Sequence, residues 1–118
     1  MGYTHYWRHT GFTLDQWKNL LTFTRNLISV TRIPIGNAYG DKGSSPRLDD
    51  VCIQFNGVGE DSCETFSLIR DGQDFEFCKT RRLPYDEIVV KVMCEAMRIN
   101  PRFIPSSDGG PAVFETRA

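Results

Sequence analysis

From Val51 to Lys79 apolar and polar side chains alternate three times in succession, and turn-forming residues separate the runs. A period of two puts successive side chains on opposite faces, so these runs predict strands. Val51, Ile53 and Phe55 alternate with Cys52 and Gln54 before Asn56-Gly57, and Glu64, Phe66 and Leu68 alternate with Thr65 and Ser67. A third run spans Gln73 to Cys78 or Lys79. Asp71-Gly72 predicts a hairpin between the second and third runs, and the glycine-rich 56–62 segment a looser one between the first and second. The expected arrangement is an antiparallel meander. Residues 3–8 add a strand with two occupied faces, Tyr3, His5 and Trp7 against Thr4, Tyr6 and Arg8.

Two helices interrupt this pattern. Thr13 with Gln16 three residues on forms a capping box, and Phe12 before the cap is placed to staple onto Trp17. Leu14, Trp17, Leu20, Leu21, Leu27 and Ile28 then share one face up to about residue 29, which makes Trp17 a core residue. Pro84 suits a first helical position, Asp86 and Glu87 suit the first turn, and Asn100-Pro101 stops the second helix near Arg98 or Ile99. A short strand at 102–104, a turn at 106–110 and a last strand at 112–114 are expected to follow. The predicted fold class is α+β, an antiparallel sheet with both helices packed on one face. Leu20, Leu21, Ile28, Phe66, Val89, Val92 and Met93 should lie in its core. Residues 36–50 read as a long loop in which Tyr39, between glycines, is either a contact residue or part of a mobile connection.

With 118 residues the chain is expected to be a single domain, 1–118. Its 14 basic and 15 acidic residues give a net charge of -1, which argues against general nucleic-acid binding while leaving room for a local basic patch. The N-terminal segment lacks the basic-then-apolar layout of a secretion signal and no apolar run spans a bilayer, so a cytoplasmic location is expected. Cys52, Cys63, Cys78 and Cys94 show no C-x-x-C spacing and are expected to be reduced and unliganded. His5 and His9, on an extended segment, do not converge on a metal. No metal and no cofactor are expected.

The strongest functional pointer is the run Cys78-Lys79-Thr80-Arg81-Arg82-Leu83-Pro84-Tyr85, where a strand ends in cations just before a helix. Lys79, Arg81 and Arg82 supply charge, Thr80 a hydroxyl, and a helix start ordinarily leaves N–H groups unpaired, so an anion is the expected guest. Tyr85, with Tyr3, Tyr6 and Trp7 from the first strand, would complete a nucleotide site by stacking on a base, and His5 is placed with them among the ligand-binding residues.

The opening Gly2-Tyr3-Thr4-His5-Tyr6-Trp7, the Phe55-Asn56-Gly57 turn with Glu64-Thr65-Phe66, Phe77-Cys78-Lys79-Thr80-Arg81 with Pro84-Tyr85-Asp86, and Ser107-Asp108-Gly109-Gly110 together resemble a family of small proteins of bacteria and their phages. The resemblance spans nearly the whole chain but brings no activity, cofactor or catalytic residue with it. It implies a microbial or phage protein that acts by binding, either occupying a host protein or sequestering a signalling nucleotide.

Two further classes compete. A protein inhibitor of a host or defence factor would use a sheet face or edge strand. An enzyme would need Cys78, made a thiolate by Lys79, with His5 or His9 as its base. Asp49-Asp50 with Asp108 or Glu60 would suit a divalent ion, although adjacent aspartates at a strand entrance are more often solvated. The competing reading of Arg81 and Arg82 is a solvated turn paired with Asp86 or Glu87.

Overall fold

The computed structural model describes residues 2–115. Its elements are β1 (Thr4–His9), α1 (Leu14–Val30), β2 (Arg47–Leu48), β3 (Cys52–Phe55), β4 (Phe66–Ile69), β5 (Gln73–Lys79), α2 (Asp86–Ile99) and β6 (Ile104–Ser107). They form an α+β fold with two antiparallel three-stranded sheets, ordered β2-β3-β4 and β5-β1-β6. No helix among the described residues is long and apolar enough to cross a membrane.

The first helix starts as its sequence dictates. The Thr13 hydroxyl accepts from the Gln16 N–H, the Gln16 side chain accepts from the Thr13 N–H, and the Phe12 and Trp17 rings lie 5.4 Å apart. Trp17 is fully buried, its indole N–H donating to the Asp49 carbonyl at 2.9 Å. Of the expected core, Leu20, Leu21, Phe66, Val89, Val92 and Met93 are buried and Ile28 packs at the margin. The cluster joins both helices to inward residues of both sheets, among them Trp7, Ile53, Phe55, Phe66 and Leu68.

The strand pairing departs from one continuous meander. Strands β2, β3 and β4 do follow one another in sequence order, but β5 leaves β4 and pairs with β1, Tyr6 opposite Phe77 and His5 opposite Cys78. Gln73 is the physical reason. Its side chain accepts from the Ile69 N–H at 3.2 Å, donates to the Ser67 carbonyl at 3.4 Å and receives the Trp7 indole N–H at 3.0 Å, taking edge groups of β4 that a hairpin partner would use. Gly72, at φ 117°, lets the corner pass the β1–α1 connection, where an added Cβ would meet the Thr10 carbonyl carbon at 3.1 Å.

Two terminal expectations also change. The strand expected at 102–104 runs Ile104–Ser107 and pairs with β1, because the Asn100 side-chain and main-chain carbonyls hold the Arg102 and Phe103 amides in a turn that drives Phe103 into the core. The strand expected at 112–114 is instead a 3-10 turn, Pro111–Phe114. Gly110 at φ 87° followed by Pro111 breaks any extended course there.

The inward face of β1 carries both histidines. His9 is buried between the Phe12 and Phe103 rings, its Nδ1 accepting from the Gly11 N–H at 3.0 Å, and burial holds its pKa below the usual histidine range. Residues 36–50 are tied down: Asn37 bonds Tyr39 and Asp41, and Asn56 reaches the Ala38 carbonyl. Tyr39 itself is 84 % exposed.

Candidate functional site

The segment from Lys79 to Asp86 joins β5 to α2 through an unusual turn. Arg81 and Arg82 have φ of 56° and 58°, two consecutive side-chain-bearing residues in the left-handed region, and the Leu83 N–H closes the turn on the Thr80 carbonyl at 3.1 Å. This is the geometry of a type I′ turn, normally filled by Asn-Gly or Gly-Gly. Left-handed backbone costs a residue with a Cβ roughly 1–2 kcal/mol, so the turn stores strain.

A buried polar network holds it. Thr80 is fully buried, its N–H donates to the Tyr3 carbonyl at 3.0 Å, its hydroxyl donates to Asp86 Oδ1, and Thr80 Oγ1 in turn accepts from the Arg82 N–H at 3.3 Å. His5 Nε2 donates to Asp86 Oδ1 at 2.6 Å, while its Nδ1 faces the Ser107 hydroxyl at 2.9 Å. β1, the turn, α2 and β6 are thereby tied to one carboxylate. Burial works to raise the Asp86 pKa, but the bonds from His5 and Thr80 and the charge of Arg82 outweigh it, leaving the carboxyl below the usual range.

The candidate residues separate into two sets. Lys79, Arg81 and Arg82 are exposed, and none is within ion-pair distance of a carboxylate among the described residues. The ion pairing of Arg81 or Arg82 with Asp86 or Glu87 that the competing reading required is absent there: Asp86 faces His5 and Glu87 faces Lys91. Arg82 lies over the Tyr3 ring, its Cζ 4.1 Å from the centroid, and the two border a hollow of ≈ 490 Å³ shared with Pro84, Glu87 and Lys91.

His5, Trp7, Thr80 and Tyr85 face inward, and all but Trp7 are fully buried, Trp7 being 2 % exposed. Trp7 packs on Phe66 at 5.1 Å and Tyr85 donates its hydroxyl to the Glu64 carbonyl at 2.6 Å, so neither ring offers a face to a base. The N–H groups expected to be open are also engaged: those of Asp86, Glu87 and Ile88 donate to Leu83, Pro84 and Tyr85 carbonyls. What stands of the anion site is its three side-chain cations and Tyr3.

Cys78 lacks the environment of a nucleophile. It is fully buried, burial pushes its thiol up to about 12, and the sulfur donates to the Glu64 carbonyl at 3.4 Å. The four cysteines are free thiols. Asp49 accepts from Arg47, Val51 and Cys52, Asp108 accepts from Thr4 and Tyr6, and no metal-binding group of three or more acidic, histidine or cysteine residues occurs among the described residues.

Tyr6, expected as stacking surface, belongs to a second surface whose phenylalanines the sequence reading missed. Tyr6 and Phe75 stack at 5.8 Å on the outer face of β5-β1-β6, beside Phe77, and Phe75 and Phe77 are 59 % and 54 % exposed. The available signal was the spacing of Phe75, Phe77 and Lys79, which places all three on one face of a strand.

Compared with protein-family models, curated proteins and solved structures, the chain matches none. The family resemblance therefore rests on the sequence motifs alone.

Proposed function

We propose that the protein binds a phosphate-bearing small molecule, nucleotide-like, without turning it over, and that the phosphate sits against Lys79, Arg81 and Arg82. The observation that carries this is the strained Arg81-Arg82 turn. Two arginines occupy positions where glycine or asparagine would be cheaper, a buried network holds them there, and neither forms an ion pair with a carboxylate among the described residues. Guanidinium groups fork onto phosphate oxygens, and exposed cations become worth more once a dianion screens them from water. In the phage setting implied by the motif resemblance, such binding would sequester a nucleotide signal.

The test is calorimetric titration of pyrophosphate and a panel of linear and cyclic nucleotides into wild type and Arg81→Ala. Loss of one charge-assisted contact of ~1.5–3 kcal/mol predicts a roughly tenfold to hundredfold weaker complex with the fold intact. Affinity should also fall with added salt. Absence of binding, or equal binding by both proteins, would refute the proposal and leave the protein-inhibitor reading in its place.

A further inference from the structure

Resting on that reading, we infer that the ligand is an oligonucleotide of two or more bases, and that its bases stack on the outer face of β5-β1-β6. The pairing of β1 with β5 and β6 arranges this face in rows. Lys79 stands opposite Thr4, and Phe77 opposite Tyr6, which is in turn opposite Ser106. Arg8 stands opposite Ile104, with Phe75 two residues before Phe77. Rings therefore occupy the middle, and cations flank them: Lys79 at one end, where the strand runs into the Arg81-Arg82 turn, and Arg8 at the other, while the Arg82 side chain lies over Tyr3.

Three features select nucleobases as the occupant. The Phe75 and Phe77 rings are more than half exposed, with centroids 6.4 Å apart, and π-faces of this kind take any base. Asp108 accepts from the Tyr6 hydroxyl at 3.0 Å and fixes the ring beside Phe75, next to a cleft of ≈ 320 Å³ lined by Tyr6, Arg8, Phe75, Ile104 and Ser106. That volume lies at the low end of small-ligand sites, ~300–1,000 Å³. Finally, Phe75, Phe77 and Lys79 project from alternate positions of one strand, so a chain of bases laid on the rings leads its phosphates to the cationic turn. Successive same-face positions are ~6.8 Å apart, so the path from Phe75 to Lys79 of roughly 14 Å exceeds the reach of one nucleotide. The net charge of -1 fits a short ligand rather than a long polyanion.

The experiment compares pyrophosphate, thymidine monophosphate and oligothymidylates of two, four and eight nucleotides against wild type, Phe75→Ala, Phe77→Ala and Arg81→Ala. Thermal melts of each variant check that the exposed phenylalanines are removed without unfolding. Expected results are affinity rising at least tenfold from one to two nucleotides, a tenfold or greater loss for the tetranucleotide in each phenylalanine variant, and unchanged pyrophosphate binding in those same variants. Equal affinity for mono- and oligonucleotides, or phenylalanine variants indistinguishable from wild type, would overturn the stacking inference while Arg81-dependent pyrophosphate binding kept the phosphate site. Failure of every phosphate probe would overturn both. Self-association abolished by Phe77→Ala, without oligonucleotide binding, would assign the face to a second copy and refute the inference.

Discussion

Replacing Asp86 should unfasten the turn that presents Arg81 and Arg82. Its Oδ1 accepts from His5 Nε2 and from the Thr80 hydroxyl, both donors on fully buried residues, so Asp86→Ala leaves two donors without an acceptor. Each orphaned donor costs ~1–3 kcal/mol. The Asp86 side chain is itself 20 % exposed, which lets water reach part of the gap and places the sum near the low end, ~2–3 kcal/mol. For a chain of 118 residues the unfolding entropy of about 0.25 kcal/mol/K converts this to a fall in Tm of roughly 8–12 °C. Asp86→Asn keeps an acceptor and loses charge assistance, so about half that fall is expected. The assay is thermal unfolding by circular dichroism from pH 7 to pH 2.5. Because the folded Asp86 pKa lies below its unfolded value, the unfolded chain takes up the proton first as pH falls. The network's contribution is thus complete above the unfolded value of ~3.9 and is lost as pH falls through the lower folded one. The wild-type advantage over Asp86→Asn should shrink in that acid window. An Asp86→Ala melt within about 2 °C of wild type, or a difference from Asp86→Asn that does not vary with pH, would refute the reasoning.

Arg81→Gly and Arg82→Gly relieve the left-handed backbone of ~1–2 kcal/mol and add back part of it as unfolded-state entropy, so each should raise Tm by about 2–4 °C while weakening phosphate binding. A protein destabilised by either change would show that the arginine side chains, not the network, hold the turn. Gly57→Ala should lower Tm by roughly 10 °C or more, since its Cβ would fall 2.1 Å from the Asp61 carbonyl oxygen and 3.0 Å from the buried Tyr85 ring, backbone that cannot step aside cheaply. A neutral melt for that variant would show that the 57–61 turn relaxes freely.

What could be read from the sequence was whatever a few neighbouring residues decide. The capping box, the Phe12–Trp17 staple and the Asn100-Pro101 stop involve partners within five positions, and each element formed where those signals put it. The β3–β4 pairing followed from an intervening turn with no competitor. The β4–β5 pairing had the stronger turn signal in Asp71-Gly72 and still failed, because Gln73 and Trp7, far apart in sequence, meet at the edge of β4 and take its hydrogen-bonding groups. Nothing near residue 72 announces that competition.

The same division runs through the site. Sequence alone determined that cations cluster between β5 and α2, since charge belongs to residue type, and that Phe75, Phe77 and Lys79 share a face, since a strand has period two. It had no means of choosing which face is inward. Alternation leaves either face of β5 free to be the core side, and the pairing of β5 with β1 turns Cys78 inward and leaves Phe75 and Phe77 to solvent. Trp7 and Tyr85, read as stacking surface, were consumed by the core instead, because the inner side is set by where two sheets and two helices meet. The left-handed Arg81-Arg82 turn is likewise a tertiary outcome: no local preference favours it, and it persists because His5, Thr80 and Asp86, from three separate segments, gain more from their buried hydrogen bonds than the backbone loses in strain.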